Sequence, residues 1–397
     1  MFNIRKIFKE KKLFLIARSV QVAILLTIII LAFFILERDL ITHMDFVSFY
    51  TAANIIKNKT GNLLYDISTQ QLFQGNYFDT SVYLVPFRNL PLLALFFIPL
   101  TFLPLLSAYK VFVIVNIGLL IFSAKLLSRY FKSFDGRITN VFVFLFFPAL
   151  IAVLVGQISL LILILWIFIF QALKNKKAFI LGILTALLLN KLQFLVFFPF
   201  VFLLTSDKRR FLSGFFFSAL VILVISTAIV GWQGIIAYPQ FLRETETAHY
   251  GTEIMSQITL FSAIHYFAYI FKINFLNNVA VFATNFFLFL IPLAFFIKNY
   301  RKMSLETNFS VATFLTLAFM IHAWEYALVI ILVPVFCLLK AIYREKNKQI
   351  NRIRSLLILF LFLMWTFRFW AAPFWVGITL FVLGSILLIY PKKITVI

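Results

Sequence analysis

The chain has 397 residues, of which 63% are hydrophobic, 13% are charged and 54 are phenylalanine. Soluble domains are roughly 45–50% apolar and about 25% charged, so this composition excludes an ordinary soluble protein and indicates a polytopic membrane protein. The formal net charge of +22 resembles the basic excess of nucleic-acid-binding proteins, so its meaning depends on where the 36 Lys and Arg lie.

The first predicted element is an uncleaved helix that inserts the chain into the membrane. Residues 1–18 carry six basic residues and no small-residue cleavage site, and the apolar run 19–36 is long enough to span a bilayer. By the positive-inside rule, the N-terminus is cytoplasmic and residues 37–88 are external.

The remaining basic residues lie mostly in clusters between apolar runs, and each cluster is interpreted as cytoplasmic. The clusters are 125–137, 174–177, 208–210, 298–302, 340–354 and 392–393. Most of the Lys and Arg thereby mark cytoplasmic loops, and nucleic acid is not needed to explain the charge.

An even number of crossings must join two cytoplasmic loops, so several apolar stretches are predicted to be helical hairpins. These are residues 138–173, 178–205, 305–340 and 355–390. The proline-interrupted run 89–106 is interpreted as juxtamembrane or re-entrant, and 107–127 as the second span. Residues 211–230 cross outward and 278–297 return.

The resulting prediction is an all-α polytopic membrane protein that forms one domain over residues 1–397. It has about twelve transmembrane helices, juxtamembrane helices in the first external loop, and both termini in the cytoplasm. The external loops 37–106 and 231–277 form the roof of the site.

Several hairpins are too short to span fully, since a helix of about 12 residues reaches only about 18 Å. The polar tips of the last three hairpins therefore lie below the outer surface, at Asn190-Lys191-Leu192-Gln193, His322-Ala323-Trp324-Glu325 and Arg368-Phe369-Trp370, whereas Gly156-Gln157 forms the outer turn of the first. Polar residues at membrane depth are costly and are functional candidates. Their outer position favours a site open to the external leaflet, whereas transporters more often place ionisable groups near the midplane.

Three charged residues stand out as candidates. Asp45 follows the first helix closely, where it either faces an interfacial cavity or caps a helix. Arg88 is either a snorkelling interfacial anchor or a phosphate contact. Lys191 lies between two short apolar helices, where it either binds an anion or pairs with Glu325.

The ordered motifs of the chain resemble glycosyltransferase family 87, the polytopic polyprenyl-phosphate-dependent mannosyltransferases of the GT-C class. The resemblance rests on the stretch DFVSFYTAA from Asp45, Gly61 with Tyr65, Pro99 with Pro104, Gly156-Gln157, Asn190-Lys191-Leu192-Gln193, Trp232-Gln233-Gly234, Tyr238-Pro239, Ser256, and the His322, Ala323 and Glu325 tip. Family members commonly have Lys-Pro-Gln where this chain has Lys191-Leu192-Gln193, and a late Asp where Glu325 stands.

The resemblance implies inverting transfer of a sugar, mannose by family default, from a polyprenyl phosphate to a lipid or glycan acceptor outside a bacterial inner membrane. Asp45 is then the catalytic base, because the phosphate leaves without a strong general acid. Candidates to stabilise the leaving phosphate are Lys191, Arg88, His322 and Arg368. Candidates for sugar or acceptor contact are Tyr50, Tyr83, Gln157, Gln193, Trp324 and Glu325.

No metal or cofactor is predicted, although a divalent ion stays open. The four histidines, His43, His249, His265 and His322, show no i,i+4 pairing of the kind that builds a metal site. The expected partners are the polyprenyl-phosphate donor, the acceptor and membrane lipids. The alternative function is a transporter or flippase of a lipid-linked glycan, with the same polar tips lining its path.

Overall fold

The computed structural model describes residues 11–35, 44–76, 84–131, 136–247, 257–273, 278–344, 348–363 and 373–389. Within these ranges every regular element is helical. The α-helices, numbered in chain order, are α1 (Lys11–Ile30), α2 (Asp45–Lys57), α3 (Ile67–Gly75), α4 (Pro91–Leu95), α5 (Leu105–Tyr130), α6 (Gly136–Phe144), α7 (Phe147–Leu154), α8 (Ser159–Lys174), α9 (Ala178–Ala186), α10 (Phe198–Leu204), α11 (Lys208–Thr247), α12 (Leu260–Ile270), α13 (Asn278–Asn299), α14 (Leu305–Phe319), α15 (Leu332–Arg344), α16 (Lys348–Leu363) and α17 (Trp375–Ile389). Segments of 3₁₀ helix at Leu187–Phe197 and Glu325–Ile331 join α9 to α10 and lead into α15.

Four helical stretches in the described part of the chain are long and apolar enough to cross a membrane. They are Leu105–Tyr130, Ala178–Leu204, Lys208–Glu246 and Val279–Lys302. Together with the composition, they make the chain an all-α membrane protein. The predicted total of about twelve spanning helices stays a prediction.

The stretch that contains α9 and α10 folds back on itself at Lys191, where φ is −134° and ψ is 85°. The ring of Phe179, before the break, lies 6.3 Å from the ring of Phe217. The ring of Phe198, after the break, lies 4.9 Å from that of Phe215. A straight helix would separate positions 179 and 198 by about 28 Å. The two limbs instead meet neighbouring turns of α11, so they form the predicted hairpin with Lys191 at its tip.

A second hairpin is formed by α14 and α15. The Lys340 ammonium, near the end of α15, lies 3.2 Å from the Glu306 carboxylate in the first turn of α14. The start of α14 therefore meets the end of α15, and the connecting residues 320–324 lie at the opposite end of the hairpin. This arrangement agrees with the prediction for residues 305–340. For residues 355–390, the predicted tip lies outside the described residues.

The segment between α3 and α4 is held by side-chain hydrogen bonds from α3. Gln74 exchanges two bonds with the backbone of Val85, from Nε2 to O at 2.9 Å and from N to Oε1 at 3.0 Å. Gln70 Oε1 accepts from the Phe87 N–H at 2.9 Å. The two glutamines thus satisfy backbone groups that would otherwise need a neighbouring strand. They hold the extended stretch that carries Arg88.

Gly182 in α9 and Gly214 in α11 allow these two helices to approach at backbone distance. A Cβ on Gly182 would lie 2.1 Å from the Phe211 carbonyl oxygen, and one on Gly214 would lie 2.1 Å from the Phe179 carbonyl oxygen. The α9–α11 contact fixes the hairpin that carries Lys191, and small residues are the usual means of such packing in membranes.

We expect Gly182→Ala to destabilise the protein by about 1–3 kcal/mol, because the added methyl group overlaps backbone that cannot rotate away. The measurement is the thermal midpoint of the detergent-purified protein. Gly118→Ala in α5 is the matched control, since a Cβ at that position would meet nothing within 4 Å beyond the backbone of its own helix. Equal midpoints for the two variants would contradict the packing argument.

Candidate active site

Asp45 begins α2, and its position is set by a backbone contact with the turn between α7 and α8. The Phe46 N–H donates to the Val155 carbonyl at 3.2 Å. Gly156 follows with a φ of +66°, and a Cβ there would lie 2.6 Å from Phe46 Cβ. Only glycine permits both the left-handed conformation and this close approach. The turn therefore brings Gln157 beside Asp45.

The same turn is fixed from α5. The Tyr109 hydroxyl donates to the Leu154 carbonyl, and Asn116 Nδ2 donates to the Gln157 carbonyl at 3.2 Å. These bonds satisfy carbonyls that the ending helix leaves without partners. The Gln157 side chain is thereby held at the centre of the site, and the residue is only 3% exposed.

Lys191, at the tip of the α9–α10 hairpin, is the buried cation of the site. Its ammonium donates to Gln157 Oε1 at 2.9 Å and lies 5.4 Å from the centre of the Tyr326 ring. The residue is 6% exposed. A buried ammonium needs such compensation. Lys191 therefore takes Gln157 rather than Glu325 as its hydrogen-bond partner.

The Asp45 carboxylate receives hydrogen bonds from the side chains of Gln157 and Tyr326, within the electrostatic field of Lys191 and Arg88. Burial raises the pKa of this carboxyl above its ordinary value of 3.8, against the lowering effects of Lys191 and of the hydrogen bonds. Asp45 thus combines proton affinity with a nearby fixed cation. These are properties of a general base next to an anion-binding group.

Arg88 connects the extended stretch before α4 to the C-terminal end of α11. Its Nε and Nη2 donate to Thr245 Oγ1 at 3.0 Å and to the Thr245 carbonyl at 2.9 Å. The Glu246 carboxylate lies 3.4 Å from Nε, and the Tyr238 hydroxyl donates to the Arg88 carbonyl at 2.8 Å. Arg88 therefore acts on the site through its charge from a fixed position.

His322 lies at the tip of the α14–α15 hairpin and faces the same charges. Its Nδ1 is 3.1 Å from Gln257 Nε2, and Gln257 Oε1 accepts from the Ala323 N–H at 3.3 Å. The Ile258 N–H donates to the Ala323 carbonyl at 3.0 Å, which ties the segment before α12 to this tip. Arg88 and Lys191 are the cations near the His322 ring.

The structure thus brings together Asp45, Gln157, Lys191, Arg88 and His322 from five separate stretches of the chain. Glu325 is buried beside them at 2% exposure, and Trp324 is partly buried at the same tip. Their predicted roles stay predictions.

Two other predicted residues take different positions. The Tyr50 hydroxyl donates to the Leu103 carbonyl at 2.8 Å, so it holds α2 against the segment before α5. Gln193 is partly buried two residues past the break, and its side chain makes no hydrogen bond within the described part of the chain. Tyr83 and Arg368 lie outside the described residues.

Sequence reasoning missed two side chains of the site, Tyr326 and Gln257. Tyr326 directly follows the tip that the sequence singled out, and its phenol is one of the two groups that bond Asp45. Gln257 lies shortly before α12, next in sequence to Ser256, which the family resemblance included. The sequence could have identified both residues only as neighbours of predicted ones, because neither is charged or belongs to a motif of its own.

The site can accept a proton at Asp45 and stabilise an anion near Lys191. Among the described residues, no group of three His, Cys, Asp or Glu side chains is arranged to hold a metal ion. The polar side chains converge at the hairpin tips, at the opposite end of the helices from Glu306 and Lys340.

No curated protein and no solved structure shows a significant match to the chain. The model of glycosyltransferase family 87 matches residues 87–321, which is more than half of the sequence. The matched range includes Arg88, Gln157 and Lys191, whereas Asp45 and Tyr326 lie outside it. The chain therefore belongs to glycosyltransferase family 87, and it is a membrane-embedded glycosyltransferase.

Proposed function

We propose that this glycosyltransferase moves a sugar, with mannose as the first candidate, from a polyprenyl phosphate to a hydroxyl of a lipid or glycan acceptor. The transfer takes place on the external face of a bacterial inner membrane, with both termini in the cytoplasm. The observation that supports it best is the Asp45 carboxylate next to the Lys191–Gln157 pair at the outer hairpin tips.

The external position determines the class of donor. Nucleotide sugars are not available on that face, whereas a sugar on a polyprenyl phosphate is delivered within the membrane. In this proposal, the polar tips of the short hairpins lie at the depth of the phosphate head of such a lipid. This placement rests on the positive-inside rule, because Lys and Arg cluster at the other ends of the helices.

The reaction then needs one base and one anion-stabilising group. Asp45 takes the proton from the acceptor hydroxyl, whose oxygen bonds to the anomeric carbon while the bond from that carbon to the phosphate oxygen breaks. The configuration inverts, and the polyprenyl phosphate leaves with the negative charge. Lys191 is our proposed contact for that charge, with Arg88 and His322 close enough to add to the field. Arg368 stays a candidate for the same role.

Sugar and acceptor contacts are proposed for the exposed parts of the tips. Trp324 is partly buried beside His322 and is the proposed stacking partner of a sugar ring. Gln193 has amide groups that are unused within the described residues and can bond sugar hydroxyls. Glu325 and Tyr83 stay candidates for hydroxyl contacts.

We expect Asp45→Asn to reduce sugar transfer by about 10²–10⁴-fold, because the amide cannot accept the hydroxyl proton. The measurement is transfer of radiolabelled mannose from polyprenyl phosphomannose by purified protein in lipid vesicles. Asp66→Asn is the matched control, since Asp66 lies in the same external segment and caps α3 away from the site.

Full transfer by the Asp45→Asn variant would overturn the assignment of the base. If the unmodified protein moves the intact lipid-linked sugar across vesicles and transfers none, it is a flippase rather than a transferase.

The pH dependence of the rate should report Asp45. A base must be deprotonated, so activity is present above its pKa and is lost as the pH falls through it. Since burial raises this pKa, we expect the acid limb of kcat to lie above the ordinary aspartate value of 3.8. The measurement is the rate between about pH 4 and 8 at saturating donor. A limb at or below that value would contradict the burial argument, and the residual rate of Asp45→Asn should lack this limb.

A further inference from the structure

The Gln157 amide is fixed in one orientation by two donors on its oxygen. Oε1 accepts from the Lys191 ammonium at 2.9 Å and from the Ile158 N–H at 2.9 Å. An amide oxygen has two lone pairs, so both are used. A flipped amide would turn its NH₂ group towards two other donors, and the opposite orientation is therefore excluded.

This orientation directs the NH₂ group of Gln157 at the other half of the site. Gln157 bonds the side chains of both Asp45 and Tyr326, and the Tyr326 hydroxyl also bonds Asp45. The NH₂ group is the donor in the first of these bonds, since a carboxylate only accepts. Within the described residues, Lys191 and Asp45 form no direct ion pair, and the Gln157 amide bonds each of them.

A direct ion pair would harm both proposed roles of these residues. A lysine in contact with Asp45 lowers the proton affinity of the carboxylate, and the lysine is then no longer directed at a substrate anion. A neutral amide avoids both effects, since it gives the ammonium an acceptor and the carboxylate a donor.

We propose that Gln157 is a positioning residue that holds Lys191 and Asp45 apart, so that one serves the leaving phosphate and the other the acceptor hydroxyl. This role rests on the proposed function and replaces the sugar contact that the sequence suggested for Gln157. With both oxygen lone pairs used and the NH₂ group directed at Asp45, the amide has little left for a sugar hydroxyl.

The charged and titratable groups around Asp45 are few. Those that act on its carboxylate are Lys191, Tyr326 and Arg88, and His322 and Glu325 lie on the neighbouring tip. A negative charge introduced at position 157 would be a like charge close to Asp45 and would stabilise the protonated form of that residue.

The test is Gln157→Glu, with the protonation of Asp45 followed by infrared titration of its carboxyl C=O stretch. The Asp45 band is identified by its loss in the Gln157→Glu/Asp45→Asn double variant. We expect the Asp45 midpoint to rise by about one pH unit or more. The acid limb of kcat should rise with it, while the KM for polyprenyl phosphomannose changes by less than about threefold, since no substrate contact is removed.

Gln171→Glu is the matched control. Gln171 lies in α8, the helix that follows the turn, about 20 Å from the start of that helix. It is buried near Lys174. The same chemical change there should leave the Asp45 midpoint and both kinetic constants unchanged. Thermal midpoints of all variants show whether each protein is folded, and Gln157→Met serves as a folded neutral variant if Gln157→Glu does not fold. In Gln157→Met, kcat should fall at least tenfold with KM unchanged.

An unchanged Asp45 midpoint in Gln157→Glu, with a KM that rises tenfold or more, would overturn the positioning role and restore the sugar contact. The infrared titration needs no substrate. If the unmodified protein transfers no sugar, the proposed function fails while the predicted shift of the Asp45 midpoint is still measured on its own.

Discussion

A lysine ammonium enclosed by protein has to be compensated by fixed acceptors, and the rest of this site depends on how that is done for Lys191. Its hydrogen bond to Gln157 Oε1 joins the α9–α10 hairpin to the α7–α8 turn. Its contact with the Tyr326 ring adds the third tip. A single buried charge thus requires three short hairpin tips to converge, because no one of them supplies enough polar groups to stabilise it.

The same constraint applies to the backbone. At Lys191 and Gly156 the helical hydrogen bonding is interrupted, which leaves peptide groups that lipid cannot satisfy. Such non-helical backbone is tolerated only where it is buried in protein or lines a cavity. At the Gly156 turn, the carbonyls of Leu154 and Gln157 accept hydrogen bonds from side chains of α5, and Gly156 packs against Phe46. The irregular segment at Gly156 is therefore held by side-chain hydrogen bonds and by close packing.

The sequence predicted the tips well, because each is a polar interruption in an apolar run, and the spacing of the basic clusters determined which runs return. Gln157, Lys191 and His322 could be identified in this way. Prediction from the sequence failed for polar residues that do not interrupt an apolar run. Gln70 and Gln74 lie on an ordinary amphipathic helix, and only the structure shows that they hold the extended segment before α4. Tyr50 shows a second limit, since only the structure reveals that its hydroxyl bonds the Leu103 carbonyl, and its predicted contact with substrate stays a prediction.

Arg88 shows why the partners of a charge matter as much as its sign. From the sequence it was either a lipid anchor or a phosphate contact, yet its guanidinium is bonded to Thr245 and paired with Glu246 across about 150 residues of chain. Its position therefore depends on where α11 ends. Since its charge acts on both Asp45 and His322, any movement of the C-terminal end of α11 changes the field at the two tips together. That end of α11 is in this way coupled to Asp45 through one fixed cation, although α11 contributes no side chain that bonds Asp45 in the described structure.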